Sequence, residues 1–317
     1  MKLISAFFRL VRWPNLVFIA LTQSLFYYSI IVPSLPPGYF EQEHTLTPVL
    51  FWLLVAAAVM IAAAGYIIND YFDINIDHVN KPEKMVVEKF INRRWAIILH
   101  FIFTLAGLVV SGYIALKTSL VIILANSVCA LMLWVYSTTF KKKLLSGNII
   151  ISALTAWTVL ILYFATNTTL SLTPGLASGV TAGMNRVYKF AALYAGFAFI
   201  ISLIREVVKD IEDMEGDAKY NCKTMPIVWG VPAAKVFVAV WLVVLIGALG
   251  VLQFYVLQIG WWLSALYVLL LVIAPLMWIL REFYRAQTTS QYHQVSTLIK
   301  LVMLTGICSI VMIKFYA

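Results

Sequence analysis

The chain has 317 residues, of which 62% are hydrophobic and only 12% are charged, and its formal net charge is +9. Soluble globular domains have about 45–50% apolar and about 25% charged residues, so the composition excludes a soluble protein. The apolar segments are continuous and about 20 residues long, which indicates membrane-spanning helices rather than the alternating strands of a barrel. We therefore predict an all-α integral membrane protein, a bundle of helices that forms a single domain over residues 1–317.

The apolar segments predict nine spans, and the basic residues predict their orientation. Of the 23 Lys and Arg residues, 19 fall on the side of the N-terminus and 4 on the opposite side. Because positively charged loops stay cytoplasmic, we place the N-terminus inside the cell and see no sign of a nucleic acid partner. The first residues, "MKLISAFFRLVRWPN", are expected to be a retained interfacial segment rather than a cleaved signal peptide. The predicted spans are approximately 14–32, 48–68, 95–115, 118–135, 147–165, 188–204, 234–255, 261–280 and 298–316.

A first acidic cluster follows the second span in "NDYFDINID", residues 69–77. On a helix, Asn69, Asp73 and Asp77 share one face, and Asp70 lies about 100° away. Carboxylates four residues apart repel each other, and a divalent cation would turn that repulsion into attraction. The alternative is a solvated acidic loop.

A second acidic cluster follows the sixth span in "REVVKDIEDMEGD". Four of its acidic residues are spaced four, three and four residues apart, which again predicts a helical stripe, flanked by the basic Arg205 and Lys209. Glu212 and Glu215 lie off this face and are expected to be solvated. The stripe consists of Glu206, Asp210, Asp213 and Asp217.

These oxygen ligands, with no His or Cys among them, suit a hard cation. Mg²⁺ takes one or two carboxylates and completes its coordination with water and substrate phosphate. The two clusters therefore predict Mg²⁺ and a substrate that carries a diphosphate, with Lys141 and Arg205 as further phosphate contacts. The four His residues are not expected to be ligands.

At this point the motifs resemble those of the UbiA superfamily of intramembrane prenyltransferases. "NDYFDINID" is similar to its first metal motif, "DMEGD" followed by "KTMP" to its second, "YSTTFKKKLLSGN" to its Tyr–Lys loop, and "RWPN" to its entry to the first span. The resemblance implies a bundle of nine helices, Mg²⁺ as cofactor, and transfer of a polyprenyl group from its diphosphate to a lipophilic acceptor.

The resemblance also implies roles for individual residues. Tyr136, Lys141, Asp73 and Asp213 would be catalytic, although Tyr136 is equally explained as an interfacial aromatic. The diphosphate would contact Asn69, Lys141, Arg205, Lys209, Arg12 and Asn15, of which the last two are equally explained as interface anchors. Metal ligands would come from Asn69, Asp70, Asp73, Asp77, Glu206, Asp210, Asp213 and Asp217.

Departures from the family pattern bear on the subfamily. Phe140 stands where some members that use aromatic acceptors have the lysine, Lys81 stands at an arginine position, and Asn221 stands where a glycine is frequent. The pattern is most similar to members that alkylate geranylgeranylglyceryl phosphate, so this acceptor leads, with a geranylgeranyl donor. A hydroxybenzoate or naphthoate ring of quinone biosynthesis is second, and a tetrapyrrole is third.

Two non-enzyme alternatives remain, a membrane transporter and a metal-binding scaffold. Transporters usually place polar residues near the middle of the bilayer, but here the charges gather at one rim.

We expect a multi-pass protein of the cytoplasmic membrane with its active site on the cytoplasmic side.

Overall fold

The computed structural model describes residues 2–42, 44–166 and 177–316. Within these ranges, nine helices are long and apolar enough to cross a membrane. This confirms the predicted all-α membrane protein and the predicted number of spans. The helices are α1 (Lys2–Leu10), α2 (Trp13–Ser34), α3 (Pro48–Asn80), α4 (Arg93–Lys117), α5 (Val121–Thr138), α6 (Ser146–Thr166), α7 (Ala177–Glu212), α8 (Met214–Lys219), α9 (Gly230–Gln258), α10 (Trp262–Arg285) and α11 (Thr289–Lys314).

Shorter helical turns connect or interrupt these helices. Single turns lie at Tyr39–Glu41, Pro82–Lys84, Phe140–Lys142 and Met225–Val228. A π-helical turn interrupts α2 at Tyr27–Ile31 and α10 at Leu269–Ile273. A proline follows each π turn by two residues, so both turns fit the usual pattern in which a missing amide donor goes with local unwinding.

Local sequence sets both ends of α3. Its N-cap Thr47 accepts a hydrogen bond from the amide of Leu50, and Pro48 occupies the first turn, where no amide donor is needed. The helix ends at Asn80 because Lys81 precedes a proline and takes φ −146°, ψ 56°.

The length of α3 places the first acidic cluster at the rim of the membrane. The helix has 33 residues and is therefore about 50 Å long, against a hydrocarbon thickness of about 30 Å. Asn69 lies about 32 Å from its start. The charged residues can therefore lie beyond the hydrocarbon while the helix remains continuous, so the cluster is helical and the alternative of an acidic loop is wrong.

The second acidic stripe is interrupted. α7 ends at Glu212, Asp213 takes φ −95°, ψ 5°, and α8 begins at Met214. The prediction of one continuous helix is therefore wrong at this residue, in keeping with the tendency of Asp side chains to compete with helical hydrogen bonding. The turn is nearly preserved, because Asp213 N donates to Lys209 O at 2.8 Å and Asp217 N donates to Asp213 O at 3.2 Å.

The chain forms two compact units, and the first comprises Met1–Phe140 and Trp157–Leu193. One part of its core joins Leu10 of α1 to Ile67 and Ile74 of α3. α3 and α4 approach closely at Gly107, where a Cβ atom would lie 2.8 Å from Ile61 Cγ1. A small residue at such a contact is how membrane helices gain packing.

The second unit comprises Lys141–Ala156 and Tyr194–Ala317. Its core is built from apolar side chains of α7, α9, α10 and α11, among them Ile204, Val238, Leu276 and Ile299. A capping box between Thr288 and Gln291 starts α11. The placement of all residues in one domain remains a prediction.

Candidate functional site

The first cluster contains a buried polar pair. Asn69 and Asp73 are only 8% and 4% exposed, and Asn69 Nδ2 donates a hydrogen bond of 2.6 Å to Asp73 Oδ2. This contact fixes the orientation of the amide, because the opposite orientation would set two oxygens against each other. Among the described residues, Asn69 Oδ1 has no hydrogen-bond partner although it is buried. The pair thus presents oxygen atoms that a cation would satisfy.

Asp70 faces a different element, as its angular offset on α3 requires. Its Oδ1 atom lies 2.6 Å from Arg12 Nη2, and the guanidinium also lies 5.1 Å from the centre of the Tyr66 ring. Burial alone would lower the pKa of Arg12, but the charge and hydrogen bond of Asp70, together with the contributions of Tyr66 and Asp73, raise the pKa overall. Asp70 and Arg12, predicted to contact metal and diphosphate, therefore hold each other here, and their contacts with ligand remain predictions.

The backbone of Arg12 adds to this description. It has φ 50°, ψ 52°, in the left-handed region, and Asn15 N donates to its carbonyl at 2.8 Å. Such a conformation is unfavourable for a residue with a Cβ atom, so the ion pair with Asp70 helps to hold the connection between α1 and α2. Asn15 is half-buried in the first turn of α2.

The second cluster belongs to the second unit and is bordered by cations. Arg205 Nη1 lies 3.0 Å from Glu206 Oε1, and Lys209 Nζ lies 3.9 Å from Glu206 Oε2. The predicted diphosphate contacts Arg205 and Lys209 thus border Glu206, which leaves that carboxylate partly neutralised. Asp217 is 5% exposed, deeper than expected for an acidic residue on a solvated loop.

The basic loop after α5 joins the segment that follows the second cluster. Lys223 N donates to Lys142 O at 2.8 Å. Within the run Lys141–Lys143, Lys141 is half-buried and the other two are exposed. This difference favours Lys141 as the member that contacts the diphosphate and leaves Lys142 and Lys143 at the surface. Tyr136 is half-buried in the last turn of α5, and its catalytic role remains a prediction.

Asn221, which departs from the family pattern, is explained by its backbone. It has φ 56°, Cys222 N donates to Asp217 O at 2.9 Å, and Asn221 N donates to Ala218 O at 3.2 Å. These two bonds form a Schellman motif at the end of α8, in which the left-handed position is usually Gly and sometimes Asn. Asn221 therefore meets the same backbone requirement as glycine.

The donor set fits Mg²⁺ in chemistry. All the predicted ligands offer oxygen, and Asn69 Oδ1 is buried without a protein partner among the residues described. In that part of the chain, no group of three or more His, Cys, Asp or Glu side chains is arranged to hold a metal ion. Because Mg²⁺ takes few protein ligands when a phosphate supplies the others, the residues fit an ion that arrives with a diphosphate.

Comparison with known proteins decides the family. The profile of the UbiA prenyltransferase family matches residues 30–303. The chain belongs to the UbiA prenyltransferase family. It is therefore an enzyme that transfers prenyl groups, and the transporter and scaffold alternatives are wrong.

Relatives of this UbiA-family chain carry a more specific name. Digeranylgeranylglyceryl phosphate synthase from Methanothermobacter thermautotrophicus is 35% identical over 257 residues, which cover 79% of this chain and 81% of the relative. The synthase of the same name from Methanosphaera stadtmanae is 28% identical over 263 residues, covering 82% and 86%.

Solved structures agree with the fold. A structure of digeranylgeranylglyceryl phosphate synthase superposes with a TM-score of 0.62 at 23% identity, covering 98% of this chain and 99% of that one. A UbiA homologue from Archaeoglobus fulgidus, bound to DMAPP and Mg²⁺, superposes with a TM-score of 0.55 at 17% identity, covering 96% and 98%. These likenesses confirm the predicted UbiA fold.

Sequence reasoning missed two contacts of the second cluster. Asn148 Nδ2 donates a hydrogen bond of 2.8 Å to Asp210 Oδ2. Glu212, predicted to be solvated, is 8% exposed, and its Oε1 atom lies 2.9 Å from His293 Nδ1. That prediction is wrong because α11 covers the carboxylate, whereas Glu215 is exposed as predicted. Of these contacts, only that of Asn148 had a signal in the sequence, since Asn148 is the last residue of the family-like motif "YSTTFKKKLLSGN".

Proposed function

We propose that this enzyme transfers a geranylgeranyl group from its diphosphate to the free hydroxyl of geranylgeranylglyceryl phosphate in a reaction that requires Mg²⁺. The observation that carries the proposal is the burial of Asp73 in α3 and of Asp217 in α8, at 4% and 5% exposure, in a membrane protein. Buried carboxylates at such positions are costly and usually functional. A divalent cation that also binds the diphosphate would compensate their charge.

The acceptor is proposed from the relatives. Two synthases that cover most of this chain are named for digeranylgeranylglyceryl phosphate, whose formation places a second prenyl group on a glyceryl phosphate. This supports an oxygen nucleophile rather than the aromatic ring carbon of the quinone alternative.

Each acidic cluster would hold Mg²⁺, the first through oxygens of Asn69, Asp73 and Asp77 and the second through oxygens of Asp213 and Asp217. When bound, it supplies positive charge that weakens the bond between the prenyl group and the diphosphate. The same role is supported by the A. fulgidus homologue, whose structure holds DMAPP together with Mg²⁺.

The remaining steps use the chain's own residues. Lys141 and Arg205 neutralise the charge that builds up on the departing diphosphate. As the allylic C–O bond breaks, the diphosphate leaves with the electron pair, and the ring of Tyr136 stabilises the cationic prenyl carbon. The acceptor hydroxyl then forms the new C–O bond, and its proton passes to an oxygen of the released diphosphate. Apolar helices exclude water that would otherwise capture the cation.

We also propose that the N-terminus and both clusters face the cytoplasm, in the cytoplasmic membrane. The support is the distribution of Lys and Arg, with 19 of 23 on the side of the N-terminus. Cysteine labelling of single sites in intact cells tests this orientation. A cysteine introduced next to Lys142 should react with a membrane-impermeant maleimide only after the cells are lysed.

The function is tested with purified protein in liposomes. Geranylgeranyl diphosphate and geranylgeranylglyceryl phosphate are supplied with Mg²⁺ or with a chelator, and the product is identified by mass. We expect the doubly alkylated lipid with Mg²⁺ and none with the chelator. Asp73→Asn and Asp217→Asn should each lower turnover about 100-fold or more, in the range seen when a group that stabilises transition-state charge is removed.

Glu215→Gln is the matched control, because this acidic side chain lies beside the second cluster but is exposed. It should retain the turnover of the unaltered enzyme. Unchanged turnover in both aspartate variants, or product formation only with an aromatic acceptor, contradicts the proposal.

A further inference from the structure

Two lysines meet beside the second cluster without pairing with its carboxylates. Lys142 and Lys223 are both exposed, and their backbones are joined by the 2.8 Å hydrogen bond from Lys223 N to Lys142 O. In the described part of the chain, neither side chain makes an ion pair. By contrast, Arg205 and Lys209 border Glu206 and partly neutralise it. Lys142 and Lys223 therefore remain available to another anion.

The next residue in the chain, Thr224, carries a buried hydroxyl. Thr224 is 4% exposed, and its Oγ1 atom has no hydrogen-bond partner among the residues described. A buried hydroxyl without a partner costs free energy, and a phosphate oxygen would satisfy it. The Schellman motif closed by Asn221 N and Cys222 N sets the path of the chain into Lys223 and Thr224.

The chemistry of the acceptor creates a need for such a group. Glycerol has three adjacent carbons, so a hydroxyl of a glyceryl phosphate is never more than two carbons from the carbon that bears the phosphate. When this hydroxyl attacks the prenyl carbon, the acceptor phosphate is brought close to the departing diphosphate. The two anions repel strongly at such distances, and additional positive charge is required beyond that which serves the diphosphate.

We propose that Lys142, Lys223 and Thr224 bind the phosphate monoester of the acceptor and so select a phosphorylated glyceryl lipid over an unphosphorylated or aromatic acceptor. The inference rests on the proposed function. Lysine acts here as a compact point charge, and Thr224 adds a directional donor. Lys141, half-buried in the same loop, remains with the diphosphate, so adjacent residues serve the two substrates.

The test combines a variant with a change of substrate. Lys142→Gln/Lys223→Gln is compared with the unaltered enzyme, using geranylgeranylglyceryl phosphate and the same lipid without its phosphate. With the phosphorylated acceptor, KM for the acceptor should rise about tenfold or more while KM for geranylgeranyl diphosphate is unchanged. With the unphosphorylated acceptor, the variant and the unaltered enzyme should behave alike. Thr224→Val should act in the same direction with a smaller rise.

Two further variants guard against trivial effects. Lys142→Arg/Lys223→Arg keeps the charge and should restore most of the acceptor affinity. Lys189→Gln removes a different exposed lysine and should change neither KM. An equal rise in both KM values, or an equal rise with the unphosphorylated acceptor, overturns the inference.

Equilibrium binding separates this inference from the proposed function. The protein in nanodiscs of zwitterionic lipid is titrated with geranylgeranylglyceryl phosphate, which requires no turnover. Phosphate-dependent binding that is lost in the glutamine variant, without any product from the unaltered enzyme, keeps the inference and rejects the proposed acceptor reaction. A variant effect that appears only when anionic lipids are added shows that the lysines bind the bilayer surface, and it overturns the inference.

Discussion

The contact between Arg12 and Asp70 leads to a quantitative prediction, because two opposing effects meet at one residue. Arg12→Ala removes a partly exposed ion pair of 2.6 Å, worth about 1–2 kcal/mol, and a cation–π contact at 5.1 Å, worth about 0.5–1 kcal/mol. Alanine retains the left-handed backbone at φ 50°. The free energy of unfolding should therefore fall by about 2 kcal/mol, the sum of the lost contacts.

Arg12→Gly loses the same contacts but removes the conformational cost. A left-handed residue with a Cβ atom costs about 1–2 kcal/mol, so the glycine variant should be about 1 kcal/mol more stable than the alanine variant. In an ordinary helical or extended position the order would be reversed. The ranking of the two variants therefore tests the backbone conformation independently of the ion pair.

The assay is unfolding in detergent, followed by the reaction of a fluorescent maleimide with cysteine. All three cysteines lie in the described part of the chain outside any disulfide, and Cys222 is buried, so its reactivity reports loss of structure. A double-mutant cycle with Asp70→Asn should give a coupling of about 1 kcal/mol. Additive effects of Arg12→Ala and Asp70→Asn, or an alanine variant more stable than the glycine variant, would refute the reasoning.

The remaining predictions concern α7, the turn after α8, and Asn148. Gly183→Ala should destabilise the protein by about 1–3 kcal/mol, because the new Cβ would overlap the carbonyl oxygen of Ser34. Gly196→Ala on the same helix would meet no described atom within 4 Å and should stabilise the protein by up to about 1 kcal/mol. Chemical unfolding of the two variants checks the opposite signs. Asn221→Gly should be neutral or stabilising, and Asn221→Val should destabilise the protein by about 1–2 kcal/mol. Melting temperatures of the two variants check this order, and the opposite order would contradict the left-handed backbone at residue 221. Asn148→Ala removes the donor to Asp210 and should lower turnover about tenfold with a higher Mg²⁺ requirement; a normal Mg²⁺ titration would limit Asn148 to packing.

Much of the fold could be predicted from the sequence, because hydropathy and length determine membrane helices directly. The nine spans are confirmed within the residues that the structure describes, and the helical spacing of Asn69, Asp73 and Asp77 is confirmed by the continuation of α3 to Asn80. The predicted ends of the spans agree less well with the ends of the helices. The last span was predicted to begin at residue 298, but α11 begins at Thr289, since its first turns are polar and hydropathy marks only the apolar part of a helix.

The partners of the acidic residues could not be predicted, because they depend on contacts between distant parts of the chain. Arg12 and Asp70 are 58 residues apart, and Glu212 and His293 are 81 residues apart. Helical periodicity correctly separated Asp70 from the face of Asp73, but it carries no information on what each face meets. Burial of Glu212 by α11 is a tertiary effect of the same kind.

Binding of geranylgeranyl diphosphate, measured by calorimetry on protein in nanodiscs, tests the central claim most directly, because it isolates the metal–diphosphate contact from the choice of acceptor. With Mg²⁺ the unaltered protein should bind the ligand, and the chelator should abolish binding. Asp73→Asn and Asp217→Asn should each weaken binding about tenfold or more, while Glu215→Gln should bind normally. Equal affinity in the presence of Mg²⁺ and of the chelator, or in both aspartate variants and the unaltered protein, would contradict the account.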